Sequence, residues 1–339
     1  MADLTTTTTS DLALLTGGAV RVDLGDRELI VATGADRVRF LHGIVTGNVA
    51  GTPAGRGARS ALLTTKGHVV ADLWIFARPD DLWIVVGAGQ GEPTAAALSR
   101  YAIMDDFTAA RREDFGLLGL FGPGAAERLG AIGLDPDLDR GLLASQPPLA
   151  HTEVRPAVGA GERGGGSGPL WLVRVHELGT GGFWIGGSRD DVAAAGQRLG
   201  AAGVPLLAPE AAEGARIAAV EPRPGVEITP DYFPMEVGLD GAIDYSKGCY
   251  LGQEPIVRIR DRGHINWRLV GLDVEGAQDP SPQDLLESDA KPKAGRITSA
   301  ARLPDGRGVA MALLHVSGPA GSSIRVRHGE QIITARVRG

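Results

Sequence analysis

The 339-residue sequence contains a single cysteine, Cys249. One thiol excludes an internal disulfide, which suits a reducing compartment. It also excludes an iron–sulfur cluster held by this chain's cysteines alone, since clusters usually take three or four Cys or His ligands. The seven histidines show no H-x-x-x-H or H-E-x-x-H spacing, so the chain is expected to build no metal site of its own. No run of about 18 apolar residues occurs, which excludes a membrane-spanning helix. The opening MADLTTTTTSDLALL lacks a basic stretch followed by an apolar one, so it does not read as a secretory signal. Residues 1–18 are expected to be a flexible tail, and the location cytoplasmic. The net charge of −7 argues against a sequence-independent nucleic-acid binder, which needs a basic surface. Aromatic residues are only 5%, so cores of Ala, Val, Leu and Ile are expected.

Glycine is abundant: 50 residues, about twice the usual share. Its placement is informative. ELIVAT (28–33), FGLLGLFG (115–122) and FWIGG (183–187) read as strands, each followed by a glycine turn and a helical pattern. Ser188 is a good N-cap for the third of these helices. Between them LWIVVG (82–87) and LWLVRV (170–175) alternate like strands, giving an α+β body. ERGGGSGP (162–169) reads as a hairpin loop. After residue 255 the text changes to short strands with Gly, Asp or Pro turns, predicting an all-β barrel or sandwich over 255–339.

Several familiar patterns fail on inspection. GPGAAERLG (122–130) has Glu127 where a dinucleotide-binding loop needs its third glycine. His151-Thr152-Glu153 echoes zinc deaminases, but no P-C-x-x-C completes it. GGGSGP lacks the lysine of a phosphate-binding loop, and no G-x-S-x-G elbow is present.

What remains is KGCYLGQE, residues 247–254. A lone cysteine is most often a small buried hydrophobe. Its neighbours suggest more. Lys247 brings a cation toward the thiol, which would favour the thiolate. Gly248 and Gly252 permit close approach or positive φ. Gln253 and Glu254 supply an amide and a carboxylate. In the following PIVRIRDR, a strand would put Arg258, Arg260 and Arg262 on one face. Such a face would clamp an anion or guard a sheet edge.

KGCYLGQE, with an arginine four residues on, resembles the signature of the YgfZ family, a branch of the glycine-cleavage T-protein superfamily of folate proteins. GADRVRFLHGIVTGNV (34–49), ALLTTKGHVVADLWIF (61–76), RYAIMDDF (100–107), RIAAVEPRPG (216–225) and PMEVGLDGAIDYSKGCYLGQE (234–254) resemble further family blocks in order. The resemblance implies an α+β fold: a ring of two interleaved α+β subdomains over 19–254, divided near 115–215, and a C-terminal all-β barrel over 255–339. It implies tetrahydrofolate, or a derivative, as cofactor. It implies a role in iron–sulfur protein assembly or repair, with iron–sulfur carrier or client proteins as partners. The alternative is a folate-dependent aminomethyl or methyl transferase of the T-protein class; whether the chain turns over a substrate stays open. Catalytic roles fall to Cys249, Lys247 and Asp72. Asp72, Arg216, Tyr250, Gln253, Glu254 and Arg258 would bind the cofactor. Two departures stand out. Ala71 replaces the first of the T-proteins' tandem Asp residues, and Ala218 replaces the Glu of their folate-facing Arg-x-Glu. Glu221 or Glu236 would have to substitute for the latter.

Overall fold

The computed structural model describes residues 9–134, 149–156, 168–288, 291–316, 321 and 323–338. The chain forms two compact units. The first comprises Met1–Ile44, Asn48–Ser60 and Leu73–Pro209; the second comprises Val45–Gly47, Ala61–Asp72 and Glu210–Gly339. The domains therefore interleave, and two short insertions of the N-terminal half belong to the C-terminal unit. Residues 162–167 of the expected hairpin loop (162–169) lie outside the described residues.

Two five-stranded sheets carry the first unit. One has the order β1 (Val20–Asp23), β7 (Gly116–Phe121), β10 (Thr180–Gly187), β9 (Leu170–Glu177), β8 (His151–Val154). The other has the order β3 (Arg56–Leu63), β4 (Val69–Ala77), β5 (Leu82–Val86), β2 (Glu28–Thr33), β6 (Thr108–Arg111). The far ends of β3 and β4 run on into the second unit. The strand–glycine–helix pattern recurs as expected. After β10, Ser188 accepts a hydrogen bond from the N–H of Asp191 at 3.1 Å and starts the helix Arg189–Ala201. Asp190 and Asp191 sit in its first turn and Arg198 in its last, each favourable to the helix dipole. Its Val192, Ala195 and Leu199 pack with Leu118, Leu120, Leu172 and Ile185 in one aliphatic core.

The scarce aromatics are not diluted through that core. Phe76, Trp171, Trp184, Trp74 and Trp83 form a chain of edge-to-face contacts at 4.7–6.1 Å between centroids. His151 belongs to this group. Its Nε2 faces Ala77 O at 3.0 Å and its Nδ1 accepts from Trp171 Nε1 at 3.1 Å. That pair of contacts requires the neutral ring with the proton on Nε2. Burial pushes its pKa down from 6.5 to about 4. The neutral form is therefore favoured by folding, while the unfolded ring takes a proton below about 6.5. The linked stability is fully present above that pH and is lost as pH falls toward 4, by at most about 3 kcal/mol. Wild type should lose melting temperature more steeply between pH 6.5 and 4.5 than His151→Gln does. Parallel curves would assign the acid sensitivity to other groups.

The second unit contains a closed six-stranded barrel, in the order β11 (Trp267–Val274), β14 (Gly308–His315), β13 (Lys291–Arg302), β12 (Leu285–Ser288), β15 (Ser323–His328), β16 (Gln331–Val337). Closure comes from β16 pairing back on β11, Leu272 opposite Val337, which leaves the sheet no edge. Leu272, Ile297, Ala312, Val326 and Ile333 fill its interior. A bulge lies between Ile297 and Ser299. The barrel confirms the expected all-β tail, with β12 as an additional strand.

Two boundaries differ from expectation. Thr9–Gly17 is a helix with Leu15 buried, so the flexible tail does not reach residue 18. More consequentially, PIVRIRDR is not a strand. Gln253–Arg262 is a helix, and the barrel begins at Trp267. A run this short satisfies both periods, since Ile256 and Ile259 are also helix neighbours. Pro255 in the first turn and glycine at both ends are the helical cues. At 100° per residue Arg260 points away from Arg258 and Arg262, so the three-arginine face does not exist.

Among the described residues no helix is long and apolar enough to cross a membrane.

Candidate functional site around Cys249

The site residues predicted from sequence fall in the second unit, on pieces of chain held together by backbone bonds. The first piece is the β3–β4 turn. Thr64 N donates to His68 O at 2.8 Å and Gly67 N to Thr64 O at 2.9 Å. The Thr64 hydroxyl accepts from the N–H of Lys66 and of His68. Beyond it, Val69 N donates to Tyr232 O at 3.1 Å. Asp72 lies three residues further along β4, buried at 6% exposure.

The second piece is Val45–Gly47. Val45 bridges antiparallel to Leu62 of β3. Thr46 is fully buried; its N–H donates to Ala61 O at 3.0 Å and its hydroxyl accepts from Ala61 N at 2.8 Å. The same hydroxyl donates to Ala242 O at 2.6 Å, while Thr46 O accepts from Asp244 N at 3.0 Å. Thr46 thus stitches β3 to the segment leading into the cysteine.

That segment is ordered from within. One oxygen of Asp244 accepts from the N–H of Ser246, the hydroxyl of Ser246 and the N–H of Lys247, at 2.8, 2.6 and 3.1 Å. The Lys247 ammonium turns inward to Val45 O at 2.7 Å and Gly47 O at 2.9 Å, and lies 5.2 Å from the centre of the Tyr250 ring. Desolvation lowers its pKa from 10.5 to about 8, with Asp244 opposing. Tyr250 is buried at 6% exposure. Its hydroxyl has no hydrogen-bond partner among the described residues, and burial, helped by Tyr245, pushes its pKa up to about 12. Between these two anchored residues Gly248 and Cys249 are exposed. The thiol has no hydrogen-bond partner among the described residues. Lys247 and Cys249 are therefore neighbours in sequence with their groups differently employed.

Gly252 then turns the chain with φ +76° and caps the helix Gln253–Arg262. Gln253 is half-buried. Glu254 and Arg258 pair at 2.6 Å on an exposed helix face. Arg260 pairs with Asp261 and lies over the Tyr245 ring.

Arg216 stands elsewhere, on the helix Pro209–Ala218. Its guanidinium is spent on Glu213 at 2.7 and 2.8 Å, Glu221 O at 2.5 Å, Ser299 Oγ at 3.0 Å and Glu227 at 3.3 Å. Glu236 accepts from the N–H of Phe233, Asn266 and Trp267. These groups brace the fold. Thr46, Asp244 and the carbonyls of Val45 and Gly47 had no signal in the sequence, because their roles depend on partners up to 202 residues away. Among the described residues no group of three or more His, Cys, Asp and Glu is placed to hold a metal ion.

Residues 18–247 match the GCVT N-terminal domain family. The chain belongs to that family. Among its relatives, the tRNA-modifying protein YgfZ of Sodalis glossinidius is 26% identical over 318 residues, 90% of this chain and 88% of that protein. The mitochondrial iron-sulfur cluster assembly factor IBA57 homolog of Neurospora crassa is 25% identical over 315 residues, 84% of this chain; this chain spans 62% of that protein's length. The fold also matches the glycine cleavage system aminomethyltransferase T of Bartonella henselae, with a TM-score of 0.83 at 21% identity, over 98% of this chain and 88% of that one. The YgfZ and T-protein resemblance read from KGCYLGQE agrees with these relatives, and the GCVT fold holds over the two units described above.

Proposed function

We propose that this GCVT-family protein binds tetrahydrofolate and serves the assembly or repair of iron–sulfur proteins, with Cys249 as a reactive or transiently ligating thiol. One observation carries the proposal: the sole cysteine is exposed, beside the exposed Gly248 and between the anchored Lys247 and the buried Tyr250. A structural cysteine would be buried. The name of the IBA57 relative, an iron-sulfur cluster assembly factor, supports the same reading, while the YgfZ relative is named a tRNA-modifying protein.

The residues fit a folate. Asp72 is the buried carboxylate at the position that resembles the T-proteins' second Asp. The Tyr250 hydroxyl is a buried donor that lacks an acceptor among the described residues, which a ligand heteroatom would supply. Arg216, Glu227 and Glu236 are committed to the fold, so the cofactor role passes to Asp72, Tyr250 and Gln253, with the Glu254–Arg258 pair at the rim. When bound, tetrahydrofolate would carry one-carbon units on its N5 and N10 nitrogens. The chain's own work is to orient the folate through Asp72 and to present the thiol. A cluster is cargo: Cys249 gives one ligand, and a carrier protein or small thiol gives the rest. The cytoplasm is the compartment this reading assigns.

Tetrahydrofolate should raise the melting temperature by mass action on the folded state. The shift should persist in Cys249→Ser and shrink in Asp72→Ala. Reconstitution with iron and sulfide should give cluster absorption only when a carrier is added, and Cys249→Ser should abolish it. No shift at ligand concentrations near the millimolar range would sink the folate reading. A stable cluster on the isolated protein that survives Cys249→Ser would sink the thiol reading.

A further inference from the structure

Lys247 looks, in sequence, like a cation placed to activate the neighbouring thiol. The geometry points to a different role: Lys247 is a positioning residue that clasps the cysteine segment onto Val45–Gly47 and so fixes where Cys249 is presented. This deepens the reading of Cys249 as the reactive thiol and rests on it.

The argument starts from the ammonium's partners. A lysine ammonium is a compact point charge with three donors. Two of them here reach carbonyls two residues apart, Val45 O and Gly47 O. Tyr250 lies beneath, its ring centre 5.2 Å away. The charge thus faces inward while the thiol faces solvent. The clasped carbonyls are themselves fixed. Thr46 between them is fully buried and bonded to Ala61 in both directions. On the other side Asp244 N reaches Thr46 O, and Asp244 gathers the N–H groups of Ser246 and Lys247. Lys247 closes this loop of bonds: it ties its own segment back to the same three residues that hold Asp244. Of the titratable groups around it, Asp244 favours the charged form, while Tyr245 and Arg260 pair with each other. The lowered pKa of Lys247 agrees with an ammonium that has exchanged water for two carbonyls.

Gly248 supplies the contrast. A Cβ added there would meet nothing within 4 Å, and its φ lies outside the left-handed region. The rise that carries Cys249 is therefore not held by packing at Gly248. It is held by the residues on either side, Lys247 by its clasp and Tyr250 by burial.

The test compares wild type with Lys247→Met, Lys247→Arg and Gly248→Ala by two readouts. The first is amide hydrogen exchange at Asp244, Ser246 and residue 247. The second is the pH midpoint of Cys249 alkylation by iodoacetamide. A clasp predicts that Lys247→Met speeds exchange at those amides by about tenfold or more and leaves the alkylation midpoint where it was. Lys247→Arg should behave like Lys247→Met, because a planar guanidinium does not replace an ammonium between those two carbonyls. Gly248→Ala should change neither readout. The proposal is overturned if Lys247→Met raises the alkylation midpoint while the amides stay protected, and equally if Lys247→Arg restores wild-type behaviour, since charge alone would then suffice. If Cys249 fails to alkylate in folded wild type, the thiol reading falls, whereas the amide readout still decides the clasp. Should Lys247→Met not fold, Lys247→Gln, which keeps one donor group, gives the same comparison.

Discussion

Gly252→Ala should cost about 3–4 kcal/mol of stability, the sum of a left-handed backbone and an overpacked contact. Gly252 has φ +76°, where an added side chain costs about 1–2 kcal/mol. The new Cβ would stand 2.3 Å from Thr64 O and 3.1 Å from Leu63 Cβ. Backbone oxygen cannot swing aside as a flexible side chain can. Either the β3–β4 turn or the helix that begins at Gln253 must move. The turn is tied by its own bonds between Thr64, Gly67 and His68, and Gly67 already lies close to Pro255 of the helix. Strain at residue 252 is therefore transmitted to the helix that follows the cysteine segment. Gly248→Ala, four residues earlier, should cost almost nothing. Urea unfolding of the two variants measures the contrast. Equal midpoints would mean that the turn yields and the close approach is not a constraint.

Those two glycines also show where sequence reading stops. KGCYLGQE announces a site, because cysteine and glycine are scarce or special choices at a helix entry. It does not say which glycine builds and which leaves room. That depends on Thr64, 188 positions upstream. The strands around Leu117, Leu172 and Ile185 were legible, as was the Ser188 cap, because alternation and capping are local patterns. The helix Gln253–Arg262 is obscured for the opposite reason. Its alternating Arg and Ile imitate a strand, and only the glycines and proline at its ends tell otherwise. The resemblance of its block implies a folate contact for Arg216. The structure spends it on partners 3, 11 and 83 residues away, and such separations leave no periodic trace. The aromatic cluster was equally hidden, since composition counts residues without saying that they gather around His151.

The second large effect belongs to the buried pair that claims Arg216. Glu227 is fully buried. One oxygen accepts from Ser299 Oγ at 2.6 Å; the other accepts from Arg223 N at 3.1 Å and Arg216 at 3.3 Å. Ser299 lies just past the β13 bulge and pairs with Met311 across the ladder. Burial alone would lower the Arg216 pKa, yet Glu213 and Glu227 together raise it. The guanidinium thus stays charged inside, and taking away a carboxylate leaves that charge undercompensated. Removing one partner of a buried pair typically costs about 3–5 kcal/mol, while replacing both by apolar groups of similar volume is far milder. Glu227→Ala should fall in that range, and Glu227→Gln, which keeps the shape, should cost less. Glu227→Leu combined with Arg216→Met should cost clearly less than the sum of the two single changes, although Arg216→Met also leaves Glu213 to its pair with Arg223. The measurement is a double-mutant cycle by chemical denaturation. Additive costs would show that the two residues stabilise the unit separately. A Glu227→Ala cost under about 1 kcal/mol would show that the unit relaxes around the loss, and Arg216 would again be available to a ligand.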